Sequence, residues 1–140
     1  MARILAGVIS GTDARLRHVL EGHEVRIVRT MAEAIEALSD WQPDLVVIGM
    51  RFDESRMFEL VRHIRSDPRH TATPVVCLRV NAKALAGLKL GSVKLAANEL
   101  GAQLFLDFQE FPNDAQGNAE IRSAIDSLVK SYVGDTAGSS

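Results

Sequence analysis

Three uninterrupted apolar runs constrain this chain more than any other feature: Ile4-Leu5-Ala6-Gly7-Val8-Ile9, Leu45-Val46-Val47-Ile48 and Val75-Val76-Cys77-Leu78. None alternates with polar residues, as a strand with one wet face would. Runs of this kind suit strands covered on both faces, the interior of a parallel sheet. Residues 24–29 and 104–108 read as two further strands, giving spans 3–9, 24–29, 45–50, 75–80 and 104–108. Between them, residues 13–20, 31–38, 55–65, 82–100 and 119–132 carry apolar side chains at three- and four-residue spacing, the helical period. Strict alternation of strand and helix predicts an α/β fold: a doubly wound, five-stranded parallel sheet, flavodoxin-like in order 2-1-3-4-5, with helices on both faces.

Local signals agree with these boundaries. Thr30 followed by Glu33 is a capping-box pattern, and Pro43, Pro68 and Pro74 stand where helices must end or strands begin. Gly22-His23 marks a turn into the second strand. With 140 residues, the expectation is one domain over residues 1–133 and a disordered tail over 134–140, where residues are small and polar. The chain is 46% hydrophobic and 24% charged, without an apolar run of membrane-spanning length or a signal-peptide pattern, so a cytoplasmic protein is expected. The single cysteine, Cys77, lies inside an apolar run and reads as a buried thiol. A net charge of −2 with scattered basic residues argues against direct nucleic-acid binding. His18, His23, His63 and His70 lack ligand spacing and are expected on the solvated surface.

Pro43-Asp44-Leu45 before the third strand, Phe58-Glu59-Leu60 and Ile64-Arg65 in the third helix, Thr73-Pro74-Val75-Val76 and Gly101-Ala102 form a recognisable set. On these residues the chain resembles the receiver domain of two-component response regulators (CheY-like) over about residues 3–131. The resemblance implies a site beyond the carboxyl ends of the strands, with an acidic pair for Mg²⁺, an aspartate that accepts a phosphoryl group, a hydroxyl residue and a lysine. Those positions fall on Val8 and Ile9, Gly49, Arg79 and Phe108, so each departs from the pattern. A hard cation wants carboxylate oxygens and a transferred phosphoryl group wants positive charge on two sides, neither of which these residue types supply together. The implied reading is a degenerate pseudo-receiver: no enzyme, no cofactor, no metal, and a part in signal transduction by protein–protein interaction. Phe105 matches the aromatic switch position and is expected in the core with Phe108 and Phe111.

Four acidic residues remain near the crevice. Asp13, Asp53 and Glu54 read as carboxylates at helix starts, and Arg79 is expected to pair with Asp53, Glu54 or Asp107. The loop Ser10-Gly11-Thr12-Asp13 suggests a different class, a flavodoxin-like protein holding the phosphate of FMN or a nucleotide, although the same residues also make an ordinary turn and helix cap. Within residues 84–97, Leu90, Val93, Ala97 and Leu100 share one helical stripe, while Leu85, Leu88 and Leu95 fall off it. Surplus apolar surface of this kind either folds over the crevice as a lid or meets a partner. In receivers the face of the fourth helix, fifth strand and fifth helix is the usual one, so a protein partner or a second copy is expected there.

Overall fold

The computed structural model describes residues 2–80 and 88–138, with side chains over 2–80 and 90–130. Five strands, β1 (Arg3–Gly7), β2 (Glu24–Val28), β3 (Leu45–Gly49), β4 (Val75–Arg79) and β5 (Leu104–Asp107), pair in parallel in the order β2-β1-β3-β4-β5. The helices are α1 (Asp13–Val19), α2 (Met31–Asp40), the single turn α3 (Phe52–Ser55), α4 (Met57–Ser66), α5 (Leu88–Leu100) and α6 (Ala115–Gly138). The predicted order is the observed one.

Side-chain alternation along the strands divides the core in two. Ile4, Ala6, Leu45, Val47, Val76 and Leu78 face Leu16 and Val19 of α1 and Ile121 and Ile125 of α6. Leu5, Val46, Ile48, Val75 and Cys77 face Ala34 and Leu38 of α2, Leu60 and Ile64 of α4 and Ala97 of α5. Burying each such aliphatic side chain stabilises the fold by about 1.5–3 kcal/mol, before conformational entropy is set against it.

The α2 cap forms as expected. The Glu33 amide donates to Thr30 Oγ1 at 3.1 Å, and Glu33 Oε1 accepts from the Arg29 amide at 2.8 Å, one residue beyond the cap itself. Other boundaries differ. Helix α6 begins at Ala115, earlier than residue 119, because the Asp114 carboxylate accepts from the Gly117 amide at 2.8 Å and starts the helix there. Only glycine fits at that point, since a Cβ on Gly117 would lie 1.9 Å from the Pro112 carbonyl oxygen. The same helix runs to Gly138, past the start of the tail expected at residue 134. No proline interrupts its ladder, and its interior glycines, Gly117 and Gly134, cost only about 1 kcal/mol each. The third helix was expected from residue 55. It begins instead at Met57, and Asp53, Glu54 and Ser55 adopt left-handed φ of 43°, 58° and 68°. Each costs about 1–2 kcal/mol. The fully buried Phe52 ring anchors this turn from below.

Two histidines leave the surface role assigned to them. His70 is buried, its Nε2–H donating to the Leu38 carbonyl at 2.9 Å. His23 accepts the Ala2 amide on Nδ1 at 3.0 Å and donates from Nε2 to Asp126 at 2.9 Å, joining the start of β1 to α6. In both, a backbone group at the end of an element, the Leu38 carbonyl in the last turn of α2 or the Ala2 amide before β1, finds an imidazole partner, which spacing along the chain does not reveal. At the amino end of the sheet Arg65 performs the same service more widely. Its guanidinium donates to the carbonyls of Gly101, His70, Thr71 and Thr73 and to Gln103 Oε1.

Cys77 is fully enclosed, and burial pushes its thiol up to about 12. Because only the thiolate reacts, labelling of the native protein by a soluble disulfide reagent at pH 8 is expected to be about two to three orders of magnitude slower than in urea. Equal rates in both states would show that the strand opens freely.

Candidate functional site

The crevice beyond the carboxyl ends of β1 and β3 is lined by Val8, Ile9, Thr12, Gly49, Met50, Arg51 and Val80. Three positions singled out from the sequence, Val8, Ile9 and Gly49, therefore do meet, and they meet as hydrocarbon and bare backbone. Space is not what excludes a longer side chain at Gly49. A Cβ there would sit 3.5 Å from Val8 Cγ1, an ordinary contact. Among the residues that line the crevice none carries a carboxyl group, and the one charged side chain is Arg51.

Arg79 turns away from this pocket to the neighbouring strand. It is the register partner of Asp107, and its Nη1 donates to Asp107 Oδ2 at 3.0 Å. The Asp107 side chain is 4% exposed and that of Arg79 13%, so the pair is largely desolvated. Asp107 Oδ1 also accepts from the Gln109 amide at 2.9 Å, and Gln109 Nε2 donates to the Val80 carbonyl. Of the three partners expected for Arg79, Asp107 is the one that the strand register supplies.

Asp13 does begin α1, but its main partner lies elsewhere. Arg29, one residue past β2, donates from Nη1 to Asp13 Oδ1 at 2.9 Å, from Nη2 to Asp13 Oδ2 at 2.5 Å, and from Nη1 to the Val8 carbonyl at 3.1 Å. The hydrogen bonds from Arg29 hold the Asp13 carboxyl below its ordinary 3.8. A depressed carboxyl stabilises the fold fully above about pH 3.8 and loses that contribution as pH falls through the lower native value. At one-third exposure the pair is screened by solvent and salt. Asp53 and Glu54 do not start α4 as expected, being in the left-handed turn. Asp53 instead caps α2 from outside, accepting the Met31 amide at 2.8 Å. Asp13, Asp53 and Asp107 are therefore each committed to a helix end or a guanidinium, while Glu54 is exposed.

These residues do not fit the Mg²⁺ that the resemblance implies. Val8 and Ile9 offer no carboxylate, and Asp13 and Asp53 are engaged as described. Among the described residues no group of three His, Cys, Asp or Glu side chains gathers to hold a metal ion. The loop at Ser10 turns on Gly11, at φ 96°, and the Thr12 hydroxyl donates to the Ile9 carbonyl at 2.8 Å, the geometry of a turn ahead of a helix.

Phe108, at the lysine position, is completely buried. The guanidinium of Arg15 lies 5.2 Å from its ring centre and donates to the carbonyls of Phe108, Phe111 and Pro112 and to Asn118 Oδ1. Burial holds Arg15 below its ordinary value. Sequence reasoning passed over Arg15 and Arg29; the signal available was only an arginine adjoining each strand-end loop. Phe105 packs against the core layer of Val75 and Cys77 from its edge. On the edge strand β5 it is half-buried, with Lys94 Nζ 5.8 Å from the ring centre, beside a groove formed with Ala97, Asn98, Ala102 and Leu104. Along α5, Val93, Ala97 and Leu100 pack inward, while Leu95 stands 61% exposed. Leu85 lies outside the described residues, as does the side chain of Leu88.

The order and packing define a receiver fold, CheY-like within the flavodoxin-like group. The chain is similar to the signal receiver domain of a signal transduction histidine kinase from Syntrophus aciditrophicus, with 25% identity over 96% of this chain and 92% of that one at a TM-score of 0.69. Chemotaxis response regulator CheY4 of Vibrio cholerae matches at 21% identity and TM-score 0.67, covering 92% and 98% of the two chains. NtrX from Brucella abortus matches at 21% and 0.73, covering 99% of this chain and 29% of its own. No family model and no curated protein matches the sequence.

Removing one member of a buried pair strands its partner's charge. Arg79→Ala is therefore expected to lower unfolding stability by about 3 kcal/mol in urea titration, and Arg79→Met with Asp107→Leu to recover most of that loss. A single-mutant loss below about 0.5 kcal/mol would mean that the pair behaves as a surface contact.

Proposed function

We propose that this chain is a phosphorylation-independent receiver-like module that takes part in two-component-type signalling, in the cytoplasm, by binding a protein partner or a second copy. The observation that carries the reading is the composition of its crevice. Where the family it resembles uses an acceptor carboxylate, Gly49 lines the crevice with Val8 and Val80, and Asp13 and Asp107 nearby are each engaged by a guanidinium, Arg29 and Arg79. Such a site has no nucleophile to phosphorylate and no site for the metal that would assist it, so it is not an enzyme. What remains is a stable scaffold with an informative surface. A ligand shifts a conformational equilibrium only through differential contact, and here that contact would come from a partner.

The α5, β5 and α6 face supports the location. Leu95 is exposed on α5, and the half-buried Phe105 lines a groove between α5 and β5 with Lys94, Asn98 and Gln103 as its polar members. Interfaces favour this combination of an apolar centre and a polar border. The match to 29% of NtrX is compatible with a module that works alongside other domains.

Incubation with acetyl phosphate and Mg²⁺ is expected to leave the intact mass of the protein unchanged, for Gly49→Asp as for the unmodified chain. The aspartate would bring a nucleophile without its cation or its lysine. A labile phosphate adduct on the unmodified chain would overturn the proposal. For the surface, Leu95→Glu is expected to abolish concentration-dependent association in sedimentation or partner capture, without lowering thermal stability. Unchanged association would move the interface elsewhere.

A further inference from the structure

We propose that Arg29 is a built-in cation: its guanidinium fills, from within the chain, the oxygen-lined position above β1 that would otherwise attract a divalent ion. The inference rests on the reading above, that the crevice takes up no phosphoryl group, and deepens it by naming what holds the charge balance instead.

Three oxygens converge on this one group. Asp13 Oδ1 lies 2.9 Å and the Val8 carbonyl 3.1 Å from Nη1, and Asp13 Oδ2 lies 2.5 Å from Nη2. A carboxylate and a backbone carbonyl are the hard donors that Mg²⁺ or Mn²⁺ selects. The guanidinium is delivered by rigid structure. Val8 donates its amide to the carbonyl of Val28 at 3.2 Å, so Arg29 leaves the edge strand at a point already pinned to the loop that it must reach. Its own amide is held by Glu33. Neighbouring charges agree with this assignment, Glu33 favouring the Arg29 cation and Arg17 the Asp13 anion.

The physical consequence follows from tethering. A bound divalent ion exchanges with solvent and reports its concentration, whereas a guanidinium stays charged at any working pH and cannot be diluted away. The β1–α1 loop is thereby held in one arrangement whatever the free Mg²⁺.

Titrating Mn²⁺ into ¹⁵N-labelled protein tests this without a partner or a phosphoryl donor. In Arg29→Ala, paramagnetic broadening of the Val8, Thr12 and Asp13 amides is expected at Mn²⁺ concentrations about tenfold lower than in the unmodified chain, because the freed oxygens regain a hard cation. Adding Asp13→Asn should remove the gain, and Arg29→Lys should retain resistance. Arg29→Gln, neutral but still able to donate to the Val8 carbonyl, gives the same comparison should the alanine variant fold poorly. The proposal falls if the unmodified chain broadens at those amides as readily as the variants do, or if neither neutral variant gains affinity. Either result leaves the phosphoryl-transfer test untouched, since that test reads covalent mass.

Discussion

Strand β3 is shielded from water along its whole length, with hydrogen-bonded strands on both edges and helices on both faces. An interior of this kind cannot hold an unpaired charge at tolerable cost. Around this central strand polar groups are accordingly driven to the two ends of the sheet, where strands give way to loops. That single constraint places the crevice, fixes which residues can line it, and explains why its floor is made of Val8 and Gly49.

At those ends the loops leave carbonyls and amides without ladder partners, and arginine is what satisfies many of them. Arg65 gathers carbonyls from the turns entering β4 and β5, while Arg15 gathers those of the segment after β5. At the opposite loops Arg29 engages Asp13 and Arg79 engages Asp107. A planar guanidinium with five donors reaches several acceptors at once and never loses its charge, which a lysine at the same positions would not match. The result is a receiver-shaped molecule whose carboxyl-end loops are laced to one another by internal ion pairs. Its polar groups are spent on holding the scaffold still.

How much of this was legible beforehand depends on the range of the interaction. Apolar periodicity exposed the strands and most helices, since burial of a face repeats every two or about four residues. The Thr30 cap was legible because its partner, Glu33, is three residues away. Asp107 was one of three partners open to Arg79, since strand order sets β5 beside β4 but leaves the register to the structure. By contrast, Asp53 capping α2, His70 under Leu38 and Arg15 beneath Phe108 join residues 22, 32 and 93 positions apart. No local pattern encodes such pairs. The left-handed turn at Asp53 to Ser55 was missed for a related reason: none of the three is glycine, and only Phe52 below and Met31 beside them make the conformation tolerable.

The amino-acid sequence by itself determined the parallel α/β architecture, because unbroken runs of Val, Ile and Leu can be hidden from water only as central strands between two helical layers. It also determined that residues 8, 9, 49 and 108 carry no ionisable side chain, since a side chain's functional groups do not depend on context. Which charges neutralise one another was decided only by the tertiary structure. Ion pairs and carbonyl contacts are matters of a few ångströms between loops remote in sequence, and those distances exist only once the sheet has set the loops side by side.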